Sequence, residues 1–302
     1  MDVTSQKPPK IALALAGGGP LGAIYEVGAM CALEESLNGL DFTKLDHYVG
    51  VSAGGFIVAA LANGLTPRQL CASFIENDSE PSETFDPSWL LKPAYGEFMR
   101  RGVMLPRLLL SALWHFTWGR KSFLGALERL SPGLPTGVFS NRAVHTELAR
   151  LFSREGRTND FRQLKTRLTL VATNLDTGEA APFGQPGWDH VPISQAVRAS
   201  AALPGLFPPV EIDGQCYVDG ALKKTMHASV ALEDEVDLMI CLNPLVPFDA
   251  RTPQAPKVMQ RGLPAHKREI PRIVEGGLPS VLSQTFRSMI HSRMELGMKH
   301  YT

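Results

Sequence analysis

The plainest chemical signal in this 302-residue chain is Gly50-Val51-Ser52-Ala53-Gly54. The spacing fits Gly-x-Ser-x-Gly, a serine carried on a sharp turn from strand into helix, with flanking glycines that remove Cβ atoms which would clash. A serine held this way is an acyl-transfer nucleophile. The pattern is short enough to arise by chance, so its context matters. An apolar strand from His47 to Val51 precedes it and an apolar helix from Phe56 to Ala62 follows, as the elbow requires. The bland alternative is that Ser52 merely caps that helix.

A second glycine cluster, Gly17-Gly18-Gly19-Pro20-Leu21-Gly22, lies between an apolar strand (Ile11 to Ala16) and a helix (Ala23 to Leu37). It also satisfies Gly-x-Gly-x-x-Gly, the dinucleotide-binding turn. That use demands an acidic residue at the end of the next strand to hold a ribose. The next strand ends instead in Val51-Ser52, with Asp41 and Asp46 ahead of it. The same loop has another use. Backbone N–H groups at a helix mouth, unobstructed by side chains, can hold the negative oxygen of a tetrahedral intermediate.

A nucleophilic serine also needs a base. Two Asp-Gly pairs are available, Asp213-Gly214 and Asp219-Gly220. Asp-Gly is most often simply a turn, and Asp213-Gly214, between Val210-Glu-Ile212 and Gln215-Cys-Tyr-Val218, is the strongest short-range hairpin signal in the chain. Residue types alone leave the choice between the two aspartates open.

The elements that must position these groups read as strand–turn–helix–strand–turn–helix from Ile11 to Ala62, the order of a parallel sheet covered by helices. Asn38-Gly39 and Asn63-Gly64 close the two helices. Further on, Val103 to Trp118 is rich in Leu and Trp but interrupted by Pro106, Arg107 and His115; Asn141 to Phe152 reads as a helix capped by Ser140. Arg167 to Thr173 reads as a strand, Asp176 to Gly178 as a turn, Ile193 to Ala202 as a short helix and Val236 to Leu242 as a buried strand. Repeats are absent. The organisation expected is a polar tail over 1–10, one catalytic domain over 11–243, a Pro-rich basic loop over 244–280 and a C-terminal helix over 281–302 packed on the same domain.

Composition narrows the partners. Thirty basic and thirty acidic side chains cancel, which removes a general electrostatic reason to expect nucleic acid. Cys31, Cys71, Cys216 and Cys241 form no Cys-x-x-Cys pair and read as small core residues in a reducing compartment, with no metal implied. The first ten residues lack the apolar core of a signal peptide, and no run approaches the ~20 apolar residues of a membrane span. The expected address is cytoplasmic, with any membrane contact peripheral.

Taken together, the loop Gly17 to Gly22, the elbow Gly50 to Gly54, Asp219-Gly220-Ala221, Ala199-Ser-Ala-Ala-Leu-Pro-Gly-Leu-Phe-Pro-Pro209 and Ala172-Thr-Asn-Leu-Asp-Thr-Gly178 resemble the patatin-like phospholipases in order and spacing from about Ile11 to Pro244. The resemblance implies a three-layer α/β/α fold with a mainly parallel central sheet and hydrolysis of lipid acyl esters without metal or organic cofactor. It also implies a catalytic dyad of Ser52 and Asp219, an oxyanion hole at Gly17, Gly18 and Gly19, and motif glycines at Gly22, Gly50, Gly54 and Gly220. The chain departs from the family pattern at Leu21, where Arg or Lys is common, at Ala221, where Gly is common, and at Lys223 and Lys224.

Alternatives stand beside this reading. A Ser–His–Asp esterase would recruit His227, although the elbow then comes unusually early in the sheet. An inactive lipid-binding or scaffolding relative would be expected to have lost the serine, the aspartate or the glycines, and all are present. Leu105, Leu108, Leu109, Leu110, Leu113, Trp114, Phe116 and Trp118 suit a lid, a lipid-dipping surface or an ordinary core helix. Arg251, Lys257, Arg261, Lys267, Arg268 and Arg272 give the Pro-rich loop a basic bias suited to anionic headgroups or to plain solvation.

Overall fold

A computed structural model of the chain describes residues 9–76, 92–118 and 129–245, with isolated positions at Val274 and between 281 and 291; for 115–118 the description is of backbone alone. The expected Pro-rich loop lies almost wholly outside these residues. Of the expected C-terminal helix, only scattered positions such as Val281 and Met289 are described, and these are helical.

The elements run β1 (Ile11–Leu15), α1 (Gly19–Ser36), β2 (His47–Gly50), α2 (Ala53–Ala62), α3 (Pro67–Cys71), α4 (Tyr95–Trp118), α5 (Arg142–Phe152), β3 (Arg167–Asn174), β4 (Ala180–Phe183), α6 (Ile193–Ser200), β5 (Val210–Ile212), β6 (Gln215–Asp219), α7 (Ser229–Leu232) and β7 (Leu238–Leu242). Seven strands form one sheet in the order β5-β6-β3-β2-β1-β7, with β4 also on β3. Strands β7, β1, β2 and β3 are mutually parallel, whereas β4 and β6 run antiparallel to β3, and β5 antiparallel to β6. The α/β class expected from the sequence is therefore correct. Its parallel part is one half of a mixed sheet.

Side-chain size sorts the two faces. In β1, Leu13 and Leu15 point one way and Ala12 and Ala14 the other, the period of two that a strand imposes. The large residues join Tyr48, Leu168 and Leu170 in a core covered by α1, α2, α3, α5 and α6. The small ones join Val49, Val51 and Val171 in a thinner layer that includes Ala231 of α7. A strand buried on both faces reads as a continuous apolar run, which is why β1 was legible.

Several local outcomes differ from the sequence expectations. The strand expected to be buried over Val236 to Leu242 is β7, Leu238–Leu242, which ends the sheet and has no buried residue, since an edge strand is covered on fewer sides. The cap position of α5 is Asn141, not Ser140. Pro106 lies inside α4 without breaking it. The carbonyl its missing N–H leaves unpaired, on Gly102, sits on an exposed turn that water can reach, and Gly102 carries no side chain to crowd the ring. Strand β4 carried no alternating signal, because Ala-Ala-Pro-Phe gains its place by pairing with β3. Among the cysteines, Cys31 and Cys71 pack at the edge of the large core, Cys216 is half-buried and Cys241 is exposed. The hairpin fell where Asp213-Gly214 indicated, with φ of 51° and 75° at those residues.

Candidate active site

Register brings the two chemical segments together. Leu170 of β3 pairs with Gly50 on one edge and Phe183 on the other, and Ala172 pairs with Asp219 and Ala181. Since β4 supplies both Phe183 and Ala181, β2 and β6 share the opposite edge of β3. They approach each other end to end along it, one parallel and one antiparallel, so that their C-termini meet. Ser52 follows the end of β2 and Asp219 is the last residue of β6.

Ser52 has φ 54° and ψ −121°, a conformation that L residues rarely occupy and that a nucleophile elbow demands. A Cβ at Gly54 would stand 2.4 Å from the Ala16 carbonyl oxygen, and one at Gly50 would stand 2.3 Å from the Val58 side chain. Both glycines are thus required by close approach. At the facing segment, a Cβ on Gly220 would lie 2.2 Å from the Val171 carbonyl oxygen, so the turn after Asp219 can pass only as glycine.

The Ser52 hydroxyl comes near enough to the Asp219 carboxylate to favour its charged form. Asp219 is 3% exposed, and its Oδ1 accepts the Ala221 N–H at 2.9 Å. Burial pushes this carboxyl up to about 6, against the opposing pull of the Ser52 hydroxyl and the Ala221 amide. The backbone on either side is tied down as well: the Asp219 N–H donates to Ala202 O at 3.1 Å, and Thr173 Oγ1 donates to Asp219 O at 3.1 Å.

The glycine loop lies directly against the serine, with the Cβ position of Gly17 3.0 Å from Ser52 Cβ and 3.6 Å from Oγ. The amides of Gly17, Gly18 and Gly19 have no acceptor among the described residues, as the first amides of a helix must lack one within it. Gly22 packs on Pro244, which also approaches Gly18.

Two groups at the site are given no role by the sequence alone. Ser200, fully buried at the end of α6, accepts the Ser52 N–H at 2.9 Å and donates to the Val171 carbonyl at 2.6 Å. Val171 stands on β3 between the stretch paired with β2 and the stretch paired with β6. Ser200 therefore clamps the elbow to the gap between the two strand ends, and it commits the Ser52 amide. Its signal was one hydroxyl in the apolar setting Arg198-Ala-Ser-Ala-Ala202. Glu26 on α1 is fully buried against the Ala16 backbone, and desolvation pushes its carboxyl up to about 9, so it is neutral at ordinary pH. An acid on the stripe Ala23, Val27, Met30 was its signal.

His227 is buried with φ 50°, and its Nε2 lies 3.3 Å from the carbonyl of Gly220 rather than against either Ser52 or Asp219. Desolvation pushes its imidazole down to about 4, helped by Lys224 and Lys223 and opposed by the Gly220 bond. A polar cavity of about 220 Å³ opens at the other end of the sheet, lined by His47, Arg167, Thr169 and Asp234. Asp234 pairs there with both His47 and Arg167, far along the strands from Ser52. Among the described residues no group of three or more His, Cys, Asp or Glu could hold a metal, and no helix is long and apolar enough to cross a membrane.

Comparison with known proteins gives the family. A sequence profile described as Patatin-like phospholipase matches residues 13–232. An uncharacterized protein of Acanthamoeba polyphaga mimivirus is 25% identical over 232 residues, 76% of this chain and 63% of the relative, so the chain spans less than two thirds of that relative's length. A probable lipid hydrolase of Invertebrate iridescent virus 6 is 20% identical over 235 residues, covering 76% of this chain and 66% of that protein. The crystal structure of VipD from Legionella pneumophila aligns with a TM-score of 0.39 at 20% identity, over 73% of this chain and 47% of that one. With the profile spanning most of the chain and both motif segments inside it, the protein belongs to the patatin-like phospholipase family.

Proposed function

We propose that this protein is a lipid acyl hydrolase that cleaves carboxylic esters through a Ser52–Asp219 dyad. The observation that carries the reading is the meeting of a strained serine and a buried carboxylate beneath a loop of unengaged amides.

Asp219 takes the Ser52 proton as Oγ attacks the ester carbonyl carbon, and the carbonyl electron pair moves onto oxygen. The Gly17, Gly18 and Gly19 amides hold that oxyanion; the Ser52 amide is already given to Ser200, so the donors must come from the loop. Collapse expels the alcohol, which takes its proton from Asp219, and leaves an acyl-Ser52. Asp219 then accepts a proton from water as it attacks the acyl carbon, and Ser52 recovers its proton as the fatty acid leaves. Burial serves this chemistry, because a carboxyl pushed up to about 6 is a stronger base than a solvated one yet ionised at neutral pH.

Labelling with a fluorophosphonate, followed by peptide mass spectrometry, tests the reading. Modification at Ser52 that disappears in Asp219→Asn supports the dyad. Unchanged ester turnover in Asp219→Asn overturns it. Loss in His227→Ala as complete as in Ser52→Ala, with the fold retained, would replace the dyad by a triad.

A further inference from the structure

We infer that α4 is an interfacial helix that docks this protein flat on an anionic lipid surface. The helix meets the body along one narrow edge, where Glu97, Arg101, Leu108 and Ala112 are partly or fully covered and Leu105 and Leu108 lie against Gly133. Elsewhere on the helix the described side chains are largely exposed. Met99 and Val103 are 73% and 77% exposed, and Leu110 and Trp114 are 68% and 65% exposed. With Tyr95 and Leu109, these side chains fall within about half of the helical circumference at 100° per residue. A soluble surface does not ordinarily gather so much apolar area on one helix.

Charge selects the occupant. Arg107 borders the apolar face and is exposed, with no acidic partner among the described residues. The only acid in the described part of α4, Glu97, is already held by Arg100, Arg101 and Thr136. A second copy packed on this face by two-fold symmetry would repeat those arginines across the contact with no acid left to meet them. A lipid surface takes both features at once, acyl chains against Val103 and Leu110 and anionic headgroups against Arg107. Tyr95 and Trp114 stand near the two ends of the face, where aromatic rings suit the headgroup boundary.

The helix is also joined to the site. It packs on the turn Ser131–Gly133, and the chain that follows bonds the loop after α6, Val138 N–H to Gly205 O and Phe139 N–H to Leu206 O. That loop begins at Ala202, the acceptor of the Asp219 N–H. Docking through α4 thus connects the lipid surface to the segment that braces the dyad. The purpose of docking rests on the hydrolase reading, but docking itself is tested without it.

The full chain carrying Ser52→Ala is sedimented with vesicles of phosphatidylcholine alone and with added phosphatidylglycerol. Binding to the anionic vesicles is expected, weakened by about tenfold or more in Val103→Asp/Leu110→Asp and by a few-fold in Arg107→Gln. Circular dichroism confirms the fold of each variant, whose substituted side chains are exposed. Undiminished binding of the double variant overturns the proposal, as does absence of binding to either vesicle. A lipid-free dimer by light scattering that the double variant dissolves would assign the face to a second copy instead. In parallel, Ser52-bearing protein with and without the double substitution is assayed on a water-soluble short-chain ester, where equal rates are expected. Hydrolysis without vesicle binding sinks the docking alone; vesicle binding without hydrolysis sinks the hydrolase reading alone.

Discussion

At Asp219, one carboxyl carries both a kinetic and a stability consequence. The proposed dyad requires this carboxyl to be ionised, so under that proposal kcat/KM on a soluble ester is expected to rise with pH through about 6 and level off above, and to be lost as pH falls below it. The stability sign is opposite. The folded carboxyl lies above its unfolded value of 3.8, so the fold is favoured fully below 3.8 and loses that advantage as pH rises through about 6. Above this the buried charge costs on the order of 3 kcal/mol. Asp219→Asn should therefore melt higher than the parent at mildly alkaline pH, with the gap closing as pH is lowered through 6 towards 4. An Asn variant that melts lower throughout would show that the carboxylate is a structural asset. Ser200→Ala tests the clamp: kcat should fall roughly 10- to 100-fold with KM little changed, since the elbow loses its tether but the binding surface does not. A matching rise in KM would place Ser200 in general packing instead.

Elements set the limits within which these residues work. Helices α1 and α2 both open at glycine-bearing turns, yet their glycines are not equivalent. Gly54→Ala places a methyl 2.4 Å from a carbonyl oxygen shared with the end of β1, which must displace either strand or elbow. Loss of soluble protein or of several kcal/mol is expected. Gly28, inside α1 with nothing within 4 Å of its Cβ position, should accept alanine with a gain of about 0.5–1 kcal/mol. Chemical denaturation of the two variants distinguishes close approach from simple helix content. A destabilised Gly28→Ala would mean that something outside the described residues rests on that face.

Across the whole molecule, the two ends of the parallel strands differ in kind. At the C-terminal ends β2 and β6 meet beside the glycine loop; at the N-terminal ends Asp234 ties His47 and Arg167 together around a small polar cavity. Strands β1, β2 and β3 are covered on both faces, whereas most described side chains of α4 are exposed. Hydrogen exchange should accordingly be slowest in β1–β3 and fast in α4 when no lipid is present. Protection of α4 in lipid-free monomer would show that its exposed face is covered by the protein itself.

Much of this was legible in the chain. Continuous apolar runs marked β1 and β2, Asp213-Gly214 marked the hairpin, and the elbow and glycine loop stood out because both need glycine at fixed offsets from a strand end. These are local requirements, and local spacing records them. Asp219 could be told from Asp213 only by family resemblance, since choosing a base depends on which strand end comes to face Ser52 across more than a hundred intervening residues. Ser200 and Glu26 were hidden for the same reason: a hydroxyl or carboxyl acquires its meaning from burial and from the partner's approach. The pairing of β2 and β6 along one edge of β3 is a property of the assembled sheet. That register, and with it the meeting of serine and aspartate, was decided by tertiary structure alone, because hydrogen-bonded strand edges are matched in space and leave no periodic trace in either strand.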